Sequence, residues 1–217
     1  MQGEALNVRR RFVFTSASIA TAAAWLAPAR AFSQGVTNIT GMNGDVLVNG
    51  RQLAPDGVIQ TGDRVQCGPG SSLGFTINRD AFLVRPNTDM VITRGPSLFI
   101  LGGARLVTGA VLAVFGRSDK PRSVITPAVT AGIRGTGFYV EVRPESTYFC
   151  TCFGEIELAA SNGQRETVNS SRHQARRILA ANTGATAIAQ APFENHNDVE
   201  LDRLAVMVGQ RAPWYQR

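Results

Sequence analysis

The chain has 217 residues, 44% of them hydrophobic and 18% charged, which is enough apolar material for one sizeable core and too little charge for a disordered chain. Its formal charge of +6 falls to +3 once the four arginines and one glutamate of residues 1–31 are set aside, and the remaining arginines are scattered except for Arg172, Arg176 and Arg177. Aromatic side chains are not interleaved with them as a nucleic-acid surface requires, so nucleic acid is not expected as a partner.

Residues 1–31 read as an export signal. Arg9, Arg10 and Arg11 precede Phe12, a mildly apolar run extends to Leu26, and Ala29-Arg30-Ala31 offers an Ala-x-Ala cleavage site with Phe32 as the first mature residue. The Arg-Arg-x-Phe arrangement is similar to a twin-arginine signal, the route for proteins that fold before export, although no Ser or Thr precedes the arginine pair. An uncleaved anchor is the alternative. The apolar run is about 15 residues, short of the roughly 20 that span a bilayer as a helix, which favours cleavage.

From Gly41 onward, short apolar alternations are punctuated by glycine: Asp45–Val48, Val58–Gln60, Arg64–Cys67, Ser72–Ile77, Ala81–Arg85 and Met90–Thr93. Asn49-Gly50, Thr61-Gly62-Asp63 and Gly68-Pro69-Gly70 supply turn residues, so short strands and tight connections are expected. Gly44-Asp45-Val46 and Gly62-Asp63-Arg64-Val65 each place an aspartate at a turn before a strand, a weak internal repetition. The rhythm is all-β and predicts a single β-sandwich or β-roll domain.

Gly132-Ile133-Arg134-Gly135-Thr136-Gly137 invites an anion-binding reading, in which Arg134, Gly135, Thr136 and Gly137 cradle a ligand. The glycine order is wrong for a dinucleotide fingerprint, and Phe138–Val142 alternates as a strand, so no helix dipole is available. The structural reading is that the glycines permit close strand approach while Arg134 pairs with a buried carboxylate, with Asp63 as the candidate.

Tyr148, Cys150 and Cys152 fall on one face of a strand and Phe149, Thr151 and Phe153 on the other. Two thiols on one face can share a metal ion, with His173 as a third ligand and Cys67 as a fourth. Three cysteines leave one unpaired in an oxidising compartment. A Cys150–Cys152 bridge would be strained at a Cα separation of about 6.5 to 7 Å, so Cys67 with one of that pair is the disulfide to expect. Inert buried cysteines are the other reading.

Toward the C-terminus, 181–190 is rich in Ala, Thr and Gly without periodicity and reads as a linker or a poorly specified strand. A helix follows. Asn197 caps it, Glu200 occupies the capping-box position, and Val199, Leu201, Leu204, Ala205 and Val208 form an apolar stripe ending at Gly209. His196, beside the cap, is expected in a solvated loop, and His173 is open between a surface and a ligand role. Ser170-Ser171-Arg172-His173 suggests a nucleophile site only superficially, because no Gly-x-Ser-x-Gly elbow exists and no nucleophile, base and orienting group can be placed together. The chain is not expected to be an enzyme.

Gly62-Asp63-x-Val65, Gly68, Ser72 and Phe75, followed after Thr126-Pro127 by Arg134-Gly135-Thr136-Gly137-Phe138, resemble the signature of the FecR-type domain family over roughly residues 43–160. That family comprises periplasmic sensing domains of iron-uptake sigma regulators and many shorter exported proteins. The resemblance implies an export signal (1–31), a FecR-like β domain (32–180) and a linker with a C-terminal helix (181–217). About ten residues precede the apolar run, too few for a sigma-factor-binding domain. The implied function is a non-catalytic periplasmic binding or sensing module for an envelope or membrane protein partner, with no cofactor, touching the membrane only if the signal stays uncleaved. The alternative is a thiol or metal-binding protein using Cys150, Cys152, His173 and Cys67.

Overall fold

The computed structural model describes residues 37–96, 100–180 and 187–215, all within the unit Gln34–Arg217. The export signal with Ala31 and Phe32 lies outside the described residues, as do 181–186 of the expected linker. Fourteen strands follow in order: β1 (Ile39–Asn43), β2 (Val46–Val48), β3 (Arg51–Gln52), β4 (Arg64–Cys67), β5 (Ser72–Ile77), β6 (Asp80–Val84), β7 (Thr88–Arg94), β8 (Leu101–Phe115), β9 (Arg122–Ile125), β10 (Val129–Arg143), β11 (Ser146–Ala160), β12 (Arg165–Ser170), β13 (Gln174–Leu179) and β14 (Ile188–Ala191). Helix α1 (Asp198–Met207) and a 3-10 turn at Pro213–Tyr215 follow, so the described residues are all-β with one C-terminal helix.

Local sequence accounts for many of these elements. Asn49 and Gly50 both take positive φ, 53° and 76°, and close the two-residue turn that registers Val48 against Arg51. The expected strands at Arg64–Cys67 and Ser72–Ile77 form with those bounds. Val58–Gln60 forms no strand. Asn38 brackets Ile59 instead, donating from Nδ2 to its carbonyl at 2.8 Å and accepting its N–H at 2.9 Å, so a side-chain amide takes the place of a neighbouring strand.

Hydrogen bonding joins all fourteen strands into one sheet. The main path runs β14-β13-β11-β10-β9-β8-β7-β4-β2-β3, with β6, β5 and β1 reached from β8, and β12 from β11. The strands are not uniformly short: β8, β10 and β11 each run 15 residues. They stay in one sheet because they exchange neighbours partway. β10 pairs with β9 over Thr130–Ile133 and with β8 over Gly137–Val142. β11 pairs with β13 over Ser146–Thr151 and with β12 over Gly154–Ala159.

The sheet buries both faces. On one, Phe75, Phe82, Phe115, Phe138 and Phe149 form a ladder across β5, β6, β8, β10 and β11, with successive ring centroids 4.7, 5.4, 5.0 and 5.7 Å apart. Such pairs add about 0.5–1.5 kcal/mol each beyond area burial. On the other face Leu112, Val114, Tyr139, Tyr148 and Cys150 form one cluster with Leu201, Leu204 and Ala205 of α1 and with Val208 just past its end. Small residues at Ala81, Ala110 and Ala175 belong to the same cluster and leave room for the helix.

Helix α1 begins as expected, with Asn197 Oδ1 accepting the Glu200 N–H at 3.0 Å. It ends at Gly209, whose φ of 70° lets the Gln210 N–H reach back to the Ala205 carbonyl at 2.8 Å. One expectation is corrected: Val199 is exposed rather than part of the buried stripe. Glu200 accepts back from the Asn197 N–H as the capping box requires, and it also meets Arg85, just past β6, through two hydrogen bonds of 2.8 and 2.7 Å that pin the helix to the sheet.

Burial acts to raise the Glu200 carboxyl, and the Arg85 contacts outweigh it and hold the group below the ordinary carboxylate range. A depressed carboxyl stabilises the folded form above its unfolded pKa of about 4.3, and that contribution is lost as the pH falls through the lowered value. Docking of α1 is therefore expected to weaken by ~1 kcal/mol on acidification from neutral to below that range. Hydrogen exchange of 198–207 measures this, and Arg85→Met should flatten the profile; an unaltered profile in the variant would refute the assignment.

Candidate metal centre

The geometry starts from a break in strand register. Phe138 pairs with Thr151 but Gly137 pairs with Phe153, so Cys152 is an extra residue in β11; between Gly137 and Arg134 the excess passes to β10. Paired bulges re-aim side chains where they occur. Cys152 also falls in the gap between the two neighbours of β11, after the last β13 pair and before the first β12 pair. Phe153, expected beside Phe149 and Thr151, consequently joins Cys150 and Cys152 on the helix-covered face.

The turn from β12 to β13 fills that gap. His173, with φ of 42°, donates its backbone N–H to the Cys152 carbonyl at 2.9 Å, which brings its ring over the same face. Its Nδ1 lies 3.8 Å from Cys150 Sγ, and its Nε2 lies 2.6 Å from Asp198 Oδ1 at the start of α1. His196 arrives from the segment before the helix. Its ring stacks on Tyr139, centroids 4.6 Å apart, with Nε2 3.3 Å from Cys152 Sγ and Nδ1 2.7 Å from the Glu194 carbonyl. At 7% exposure it is a core residue, not the solvated loop histidine expected from its place beside the cap.

Sγ of Cys150, Sγ of Cys152, Nδ1 of His173 and Nε2 of His196 all lie within 4.8 Å of one another. A tetrahedral ion with bonds of about 2.3 Å to sulfur and about 2.0 Å to nitrogen has S···N edges of about 3.5 Å. The observed 3.8 and 3.3 Å bracket that value. In both rings the nitrogen away from the thiols faces an acceptor, a carboxylate for His173 and a backbone carbonyl for His196. When those nitrogens carry the proton, lone pairs point at the thiols, as a metal-binding tautomer requires.

The supports are themselves held. Arg143 and Arg177 reach Glu194 at 2.7 and 3.3 Å, the Tyr148 hydroxyl donates to the Pro192 carbonyl at 2.9 Å, and Asn195 donates to Glu141 at 2.8 Å. Electrostatics favour a thiolate. The Cys152 thiol hydrogen bond, with those from His173 and His196, outweighs burial and holds Cys150 well below the usual thiol range, while burial pushes Cys152 up. Burial disfavours charge on His173, but Cys150 and Asp198 outweigh it and raise its pKa. Both cysteines are fully buried, and a surface cleft beside His173, lined also by Arg172, Phe193, Asn197 and Asp198, gives the approach.

Cys150, Cys152 and His173 are thus brought together, whereas Cys67 is not. It sits in β4 within the opposite core, between cross-strand neighbours Val46 and Thr88, and burial pushes its thiol up to about 11. The disulfide expected between Cys67 and one of the pair is not formed, and all three cysteines are free thiols. His196 takes the fourth position. Its sequence signal was slight: the chain has two histidines, and this one precedes a helix cap that docks on the strand carrying the cysteines.

Arg134, Gly135, Thr136 and Gly137 do not converge on a cradle. The Arg134 side chain is 72% exposed, with Glu157 at 3.3 Å, while Asp63 accepts from Asn49 and the Gln60 N–H in its own turn. The buried arginine–carboxylate pair is elsewhere, Arg122 Nη1 to Asp80 Oδ1 at 2.5 Å, with Asp80 also accepting the Gly116 N–H and Arg122 also reaching the Gly116 carbonyl. Gly135 has φ of 65°, Thr136 is buried, and a Cβ on Gly137 would lie 2.4 Å from the Phe153 ring. The motif shapes the bulge behind the thiols. Gly137→Ala is expected to cost ~1–3 kcal/mol by displacing Phe153, and Arg134→Ala less than ~0.5 kcal/mol. Denaturant unfolding of the two variants decides, and a costlier Arg134→Ala would restore the arginine to a structural role.

No family model matches the chain, and no curated protein matches it. Two crystal structures of a protein described as a "putative anti-sigma factor", from Parabacteroides distasonis ATCC 8503, are similar to it at 15% and 16% identity with TM-scores of 0.48. The similarity covers 59% and 61% of this chain and 58% and 60% of those chains, so it spans about three-fifths of their length.

Proposed function

We propose that the chain is a non-catalytic metal-binding β domain of the FecR type, working in the periplasm as a binding or sensing module for an envelope protein partner. Cys150, Cys152, His173 and His196 hold its metal ion. The observation that carries the metal reading is the pair of histidines whose outer nitrogens are committed to Asp198 and the Glu194 carbonyl while their inner nitrogens face two thiols. Two thiolates and two neutral imidazoles balance a divalent cation, and the soft, four-coordinate set suits zinc. With every position supplied by protein, the centre contributes to folding rather than to a reaction at the metal.

The periplasmic assignment rests on the Arg9–Arg11 segment with its Ala-x-Ala site, and the family assignment on the Arg134–Phe138 motif in an all-β chain. The recognition role is supported by the outer flank of α1, where Val199, Val206, Met207 and Tyr215 are exposed, a surface monomeric domains seldom leave open. Turn-rich sheet ends add variable side chains beside it.

Protein exported by its own signal should carry about one zinc per chain by elemental analysis. Cobalt(II) added to stripped protein should give thiolate-to-metal charge-transfer absorption. Cys150→Ser with Cys152→Ser, and separately His196→Ala, should reduce bound metal to background, while Cys67→Ser retains it. Folded wild-type protein that binds neither ion, or loss of metal in Cys67→Ser, would sink the assignment.

A further inference from the structure

The metal ligands come from two parts of the fold that are distant in sequence. Cys150 and Cys152 belong to β11 and His173 to the turn beside it, whereas His196 belongs to a C-terminal arm, residues 192–215, separated from Cys152 by 44 positions. The arm also supplies Asp198 to His173 and the Glu194 carbonyl to His196. We propose that the metal centre is the latch of this arm: a bound ion holds α1 against the sheet, and loss of the ion lets the arm lift and uncovers the apolar face beneath it. The proposal rests on the metal reading above and assigns that site a regulatory role.

Apart from the site, the arm is held by modest means. Its buried apolar contribution to the sheet comes from Leu201, Leu204, Ala205, Val208 and Ala212, two of them alanines, with Trp214 partly buried beside them. Its ion pairs are partly or largely exposed: Arg85 with Glu200, Arg143 and Arg177 with Glu194, and Arg172 with Asp198, where the arginine side chain is 61% exposed. The Tyr148 hydroxyl and Glu141 add hydrogen bonds to Pro192, Glu194 and Asn195, and exposed pairs of this kind each contribute modestly in water. A ten-residue helix does not persist alone, so an arm that lifts also unwinds. The face it leaves carries Leu112, Val114, Tyr139 and Tyr148, a continuous apolar strip across β8, β10 and β11 that would be available to a partner.

Linkage sets the size of the effect. If the lifted form lacks His196 at the site and binds metal far more weakly, free metal at about 100 times its dissociation constant suppresses opening about 100-fold. Occupancy would then switch between a covered and an uncovered sheet face. Trp214 reports the change, because its ring lies 5.4 Å from that of His173 and 6.0 Å from that of Phe153, with the Arg172 guanidinium above it.

The test uses the full chain under reducing conditions, zinc-loaded and chelator-stripped, with bound zinc counted in each sample. Hydrogen exchange in peptides covering 198–207 should accelerate at least ~10-fold on stripping, against little change in β4 and β7, with a shift in Trp214 emission, and zinc should reverse both. Arg85→Ala, outside the site, should raise exchange in both samples and keep the zinc dependence. Zinc bound with no change in exchange of 198–207, in wild type and Arg85→Ala alike, overturns the latch and leaves the metal reading standing. Failure to bind zinc removes both, and the elemental count tells the two failures apart.

Discussion

The long β10–β11 hairpin must change neighbours on both sides at the same level, and the chain meets this constraint with a pair of compensating bulges. One extra residue in β11 is answered by one in β10, so the hairpin regains register within a few residues. Between the bulges the ladder is open on the side where β13 gives way to β12, and a turn can enter there. Cys152, Phe153 and His173 owe their orientation to that opening. The aromatic ladder continues past it on the opposite face through Phe138 and Phe149, so the irregularity is confined to one side of the sheet.

Steric requirements at the same place explain the glycines of the Arg134–Phe138 motif. Gly137 lies under the Phe153 ring, and Gly154 takes φ of 90° with Thr136 against the position its Cβ would occupy. Side chains at these points would push the strands apart. Arg134 projects into solvent and contributes charge to the surface. The buried charge is carried by Arg122 and Asp80, whose pairing ties the start of β6 to β9 and the end of β8. A buried pair of this kind is costly to break singly, because the remaining partner is left uncompensated.

What was legible in the sequence followed from local periodicity. Arg64–Cys67, Ser72–Ile77, the Asn49-Gly50 turn and the Asn197 cap each depend on residues within a few positions of one another. The rest depended on long-range pairing. Val58–Gln60 has a strand's composition, but Asn38 occupies its backbone groups. The sharing of one strand face by Cys150 and Cys152 was readable from period two, and the displacement of Phe153 to that face was not, because a bulge depends on what the opposing strand does. Cys67 and His196 were interchanged as candidate ligands for the same reason: position along the chain gives no measure of which side of a folded sheet a residue reaches.

Hinge and donors are separable in this design. The glycines and bulges that turn the hairpin lie behind the thiols, and the donor atoms hang from the front. In the proposed metal centre, exchanging a sulfur donor for an oxygen or nitrogen donor at position 150 would alter which ions it prefers while leaving the strand geometry to the glycines. The corner is thus a mounting point whose chemistry can be retuned side chain by side chain, with specificity and architecture free to vary on different residues.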